Sequence, residues 1–119
     1  VQVELRNILY IEGLKDYIKI YLEGEARPIL SLISMRAIEE KLPSSRFIRV
    51  HRSFIVQKQK IKLIDKGRII FGKEYIPISD SYKQELQNYV NEHTIKIFNN
   101  LKIQFGNKIE TFFTVFLVH

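Results

Sequence analysis

The chain has 119 residues, 45% of them hydrophobic and 27% charged, which suits one folded domain, with or without an appendage, and argues against a disordered chain. It has no cysteine, so there is no disulfide framework and no thiolate metal site, and no apolar run nears the roughly 20 residues of a membrane-spanning helix. A net charge of +6 and a pI near 9.6 favour a polyanionic partner, either nucleic acid or an anionic membrane surface.

Strand signals dominate the first part of the chain. "VQVEL" (1–5) and "ILYI" (8–11) both read as strands. The first residue is Val rather than Met and strand-like residues follow at once, so the chain is expected to start inside a longer protein. "YIKIYL" (17–22) alternates with period two, placing Ile18, Ile20 and Leu22 on one face and Tyr17, Lys19 and Tyr21 on the other. After the turn at Glu23-Gly24, "RPIL" (27–30) suits an edge strand because Pro28 has no N–H to donate.

A helix is expected next. Ser34 can accept from the free amides of its first turn, Ile33 and Ile38 fit a hydrophobic staple, Leu42 continues the apolar face, and Pro43 stops the helix. "FIRV" (47–50) and "SFIV" (53–56) are strands with His51-Arg52 between them. "IKLI" (61–64) and "RIIF" (68–71) flank "DKG" as a hairpin, and "EYIPI" (74–78) adds a strand. A second helix begins near Ser79–Ser81, where Ser81 and Gln84 fit a capping box, and Tyr82, Leu86, Tyr89 and Val90 form an apolar stripe.

The character changes from about Ile95. The run "FFTVFLV" (112–118) is too short to span a bilayer and has high β propensity. It must pair as a strand, pack on a partner, or form a poorly ordered end.

No catalytic, metal or cofactor chemistry assembles. His51, His93 and His119 share no ligand spacing, and neither a G-x-S-x-G elbow nor a phosphate-cradling loop is present. Glu39 and Glu40 read as solvated carboxylates on the first helix, and Glu12 as a salt-bridge or turn residue. The aromatics Tyr10, Tyr17, Phe47 and Phe54 read as packing residues.

Positive charge is concentrated between Arg46 and Lys62, where six Arg or Lys residues (46, 49, 52, 58, 60 and 62) occur with no Asp or Glu, and His51 adds a donor. Such an excess suits phosphate binding, and it equally suits a solvated strand face whose basic residues discourage edge pairing. Arg52 stands out because a guanidinium on a turn can project from the scaffold and fork onto guanine O6 and N7. Ser53 either contacts phosphate or, the preferred reading, satisfies local backbone groups.

Four segments, "ILYIEGLKDYIKIYL", "SMRAIEEKL", "FIRVHRSFIV" and "IPISDSYKQEL", resemble in order and spacing the LytTR-type DNA-binding domain. The resemblance covers residues 1 to about 92. It implies a fold that is mostly β with short α-helices (β-rich α+β), an elongated domain of small sheets with two flanking helices. It implies duplex DNA binding through loops that enter successive major grooves, as the cytoplasmic output domain of a two-component transcriptional response regulator. The partners it implies are direct-repeat promoter sites, a second copy of the domain on DNA, and a receiver domain N-terminal to this chain, with no membrane involvement. By position it implies DNA contact from Lys15 and Asp16 in "GLKD", from Arg52 in the "HRSF" turn with Arg49, His51, Ser53 and Lys58 around it, and from Ser79, Asp80 and Lys83 in "SDSYK". Asp80 stands where some members place Arg. It serves the positive end of the helix dipole or accepts from cytosine N4, and the helical role is preferred. The expected domain is 1–94, with 95–119 a tail outside the family pattern.

Two other classes of function stay open. A single-strand or RNA-binding β module would need exposed aromatics, for which the Tyr17/Lys19/Tyr21 face is the one candidate. A protein-interaction module would use the apolar tail.

Overall fold

The structure, a computed structural model, describes residues 2–97 and 113–116. Its centre is a five-stranded sheet in the order β3-β2-β1-β5-β4, built from β1 (Ile8–Gly13), β2 (Ile18–Leu22), β3 (Ile29–Ser31), β4 (Phe47–His51) and β5 (Phe54–Gln57). All of its neighbouring strands run antiparallel. A second, three-stranded sheet comprises β6 (Ile64–Asp65), β7 (Arg68–Phe71) and β8 (Glu74–Pro77). The two helices are α1 (Met35–Lys41) and α2 (Asp80–His93). The fold is therefore mostly β with two short flanking helices, as the sequence implies.

The central sheet is covered on both faces, and its sequence shows why. Ile8, Ile11, Ile18, Ile20, Phe47 and Ile55 pack on one side with Leu42, and Met35 and Ile38 of α1 close over them. Tyr10, Ile48, Val50 and Val56 face the other way, against Ile69 and Ile76 of the second sheet and Leu86 and Val90 of α2. A strand buried on both faces reads as a near-continuous apolar run, which is what "ILYI" and "SFIV" are. Tyr10 stacks on Tyr21 at 4.4 Å and on Phe71 at 5.3 Å between ring centres, joining the two sheets. Burial raises the Tyr10 and Tyr21 hydroxyls above the usual phenol range, and the nearby Glu12 carboxylate adds to the rise at Tyr21.

Local signals explain the connections. The Ser34 side chain accepts from the Ala37 amide at 3.1 Å, and the last turn of α1 closes on Leu42 just before Pro43. Lys66 and Gly67, both with positive φ, form the two-residue turn between Asp65 and Arg68, the backbone shape that twists with a hairpin. Ile61–Leu63 lie outside β6, so that hairpin arm is shorter than the sequence suggests.

Three expectations are corrected. Residues 2–4 form no strand and Leu5–Asn7 are a 3-10 turn, held where the Leu5 carbonyl accepts from the Gln57 side chain and the Asn7 carbonyl from the Glu23 amide, leading into β1. Ser81 does not cap α2, since the helix already begins at Asp80; Ser81 lies in its first turn with its hydroxyl 3.4 Å from that of Ser79. Glu39 is not simply solvated, as described below. In the tail, β9 (Thr94–Ile97) pairs antiparallel with β10 (Phe113–Phe116), so strand pairing is the alternative realised for those residues. Phe112, Leu117 and Val118 lie outside the described residues.

Gln57 is a feature that sequence patterning did not reveal. It is 1% exposed at the end of β5, and its side-chain amide donates to the carbonyls of Leu5 at 3.0 Å and Ile8 at 2.6 Å. It fastens the 3-10 turn to the sheet with bonds that no apolar residue can replace.

Candidate nucleic-acid interface

The residues singled out from the sequence fall at two opposite ends of the central sheet. At one end three chain segments meet. The β1–β2 loop, with Lys15 and Asp16 exposed, is joined to the β4–β5 turn by a bond from the Gly13 amide to the Ser53 carbonyl, 2.8 Å. On the other side of that turn the Ser79 amide donates to the Val50 carbonyl at 2.9 Å and brings in the start of α2, where Asp80 and Lys83 are exposed. Because β1 neighbours β5 and β4 is the edge strand, the three segments stand in a row with the Arg52 turn in the middle.

Within the turn, Arg52 is exposed and His51 and Ser53 are half-buried. The Ser53 amide donates to Nδ1 of His51 at 3.0 Å, so Nδ1 is the acceptor nitrogen and the imidazole is oriented by the turn itself. The His51 ring meets Phe54 edge-on at 5.7 Å.

Arg49 behaves differently from Arg52. Its Nε donates to the His51 carbonyl at 2.9 Å, its Nη2 to the Arg52 carbonyl, and its Nη1 contacts Glu39 of α1 at 2.6 Å. Its side chain is 15% exposed, and the guanidinium lies 5.9 Å from the ring centre of Tyr82 in the first turn of α2.

Lys58 lies beyond the far end of β5, away from the turn. Its Nζ donates to the Ser44 carbonyl at 3.0 Å and sits 5.5 Å from the Tyr89 ring centre. Lys60, next to it, pairs with Glu23 at 3.1 Å. The basic run of the sequence is thus divided between two ends, and only its Arg49–Ser53 portion joins the other predicted loops.

Two residues of this edge have contacts that the sequence reading missed. Glu39, 46% exposed, is the anion that holds Arg49. Gly13 read as a loop residue, yet a Cβ there would lie 2.2 Å from Cγ of Met35, so any larger residue forces the Met35 side chain of α1 to move. Neither carries a local signal, because each depends on a contact made by tertiary packing. Glu12, left open between two roles, accepts from the Tyr21 hydroxyl at 3.2 Å. Of the two rings on the Tyr17/Lys19/Tyr21 face, that of Tyr21 is already stacked on Tyr10. Among the described residues no group of three metal-ligating side chains occurs, and no helix is long and apolar enough to cross a membrane.

The edge presents basic and hydroxyl side chains, with Asp16 and Asp80 among them, on tight loops carried by a doubly covered β-sheet. Residues 1–91 match the LytTr DNA-binding domain family, and the chain belongs to it. It is similar to the sensory transduction protein LytT of Bacillus subtilis (strain 168), 45% identical over 56 residues, covering 42% of this chain and 23% of that protein. It is also similar to LytT of Enterococcus faecalis (strain ATCC 700802 / V583), 35% identical over 60 residues, covering 45% of this chain and 25% of that protein. The matched stretch is therefore about a quarter of each relative's length. Among solved structures it resembles a LytTr DNA-binding domain, described as that of a methyl-accepting/DNA response regulator from Bacillus cereus, with a TM-score of 0.64 and 26% identity over 76% of this chain and 86% of the other.

Proposed function

We propose that this domain binds duplex DNA sequence-specifically by laying its row of three loops across successive major grooves, as the cytoplasmic output domain of a two-component transcriptional response regulator. The observation that carries the reading is the row itself, with the Gly13–Ser53 and Ser79–Val50 bonds holding the outer segments on either side of an exposed Arg52. In this reading Arg52 forks onto a base, and Lys15, Asp16, His51 and Lys83 complete the contact surface. Phosphate contact falls to the Ser79 hydroxyl or Lys83, and Ser53 serves the backbone of the turn. Asp80 sits at the start of α2, where the helix dipole favours a carboxylate.

Membership of a DNA-binding family and likeness to LytT proteins support a regulatory setting. A receiver domain ahead of this chain would control it, and two copies would occupy a direct repeat. We place the DNA-binding unit at 1–94 and treat 95–119 as an appendage, since β9 and β10 pair with each other.

The test is selection of bound duplexes from a random pool, followed by titration of the selected duplex and its single strands over a salt series. A recurring motif and tighter duplex binding are expected. Equal or tighter single-strand binding would overturn the proposal.

A further inference from the structure

We infer that Arg49 is the positioning residue of this interface: its guanidinium, held inside the protein, fixes the turn from which Arg52 projects, and sequence discrimination depends on it without its touching DNA. The inference rests on the reading of the 51–53 turn as DNA-facing.

The geometry carries it. Two of the three acceptors of Arg49 are the carbonyls of the turn residues, His51 and Arg52. The strand register shifts between Arg49 and His51, so cross-strand pairing is interrupted where the turn begins. The guanidinium holds that stretch, reaching both carbonyls from one rigid plane. A lysine ammonium, a single point with rotating donors, has no such fork. Glu39 anchors the opposite side at 2.6 Å and neutralises the charge, so Arg49 adds little to the outward field. Tyr82 places the same guanidinium against the first turn of α2. One side chain thus braces the Arg52 turn against α1 and the start of α2, and base readout from Arg52 requires that turn to be held within a fraction of an ångström.

The experiment compares Arg49→Lys, Glu39→Gln and Arg52→Ala in the full chain. Each is titrated with the selected duplex and with an unrelated duplex over a salt series. Arg49→Lys is expected to lower the ratio of specific to non-specific affinity on the order of ten-fold or more, the scale of one lost bidentate contact. The salt slope should not move, because no phosphate contact is lost. Glu39→Gln, a change on a half-exposed helix surface that leaves the core alone, should lower the ratio in the same direction. In the Arg52→Ala background Arg49→Lys should lower it no further.

A direct Arg49–DNA contact demands the opposite at Glu39: removal of the anion would free the cation and tighten binding with the ratio kept. That result, or additive losses in the double variant, would overturn the inference. If Arg52→Ala leaves base preference intact, the reading of the turn itself fails. If Arg52→Ala relaxes preference while Arg49→Lys and Glu39→Gln do not, only the positioning role fails.

Discussion

At one end of the β4–β5 hairpin stand Arg49, His51 and Arg52; at the other, one strand length of about 13 Å away, stand Arg46, Lys58 and Lys60. In sequence the two groups form one uninterrupted basic run. In the fold they diverge. At the far end Lys58 bonds the Ser44 carbonyl and faces Tyr89, and Lys60 meets Glu23, so both ammonium groups help close the structure. At the turn end Arg49 is turned inward, and its bonds leave Arg52 as the exposed cation between the two outer loops. Charge density along a chain measures how many cations are near one another. The availability of each cation to phosphate is set by which acceptors the fold has already given it.

The strongest way to break this comparison is at Gln57, the anchor of the far end. Gln57→Ala removes the donor to two carbonyls and leaves a cavity beside β1. A loss of about 2–4 kcal/mol in unfolding free energy is expected, measured by chemical denaturation. Base preference of the protein that remains folded should be unaltered. A changed preference would mean that the two ends are coupled and that the division drawn above is false.

Arg52→Ala attacks the other end and should have the reverse profile. Binding to the selected duplex should weaken by about 1–3 kcal/mol with relaxed preference at one base position. Unfolding free energy should change by no more than about 0.5 kcal/mol, since the side chain is exposed. A uniform loss across all duplexes would make Arg52 a phosphate contact and leave base readout to the outer loops.

Much of this arrangement was legible in the sequence, and the limits are instructive. The α1 cap at Ser34, the "DKG" hairpin and the β4–β5 turn announce themselves because each depends on neighbours in the chain. The first strand failed because alternation in "VQVEL" says nothing about whether a partner edge is available, and here the segment turns over Gln57 instead. The site was legible as a set of loops through resemblance, since four motifs in register specify the fold that brings them together. What could not be read was the difference between Arg49 and Arg52. Both are arginines flanking one turn, and their roles separate only when Glu39, ten residues away across a loop, folds against one of them. The same holds for Gly13, whose constraint comes from the Met35 side chain above it.

Lys58→Ala is the smallest and most discriminating test. Its ammonium bonds one carbonyl near the surface and lies beside one aromatic face, so removal should cost about 0.5–1 kcal/mol of stability. From sequence, Lys58 belongs to the basic run and would count as a phosphate contact, whose loss flattens the dependence of log affinity on log salt by about one unit. From its place beyond β5 it should leave both the slope and the preferred site untouched. A salt titration of the variant beside the parent decides between the two. A shallower slope would extend the DNA footprint along the whole hairpin, and an unchanged one would confine it to the row of loops around Arg52.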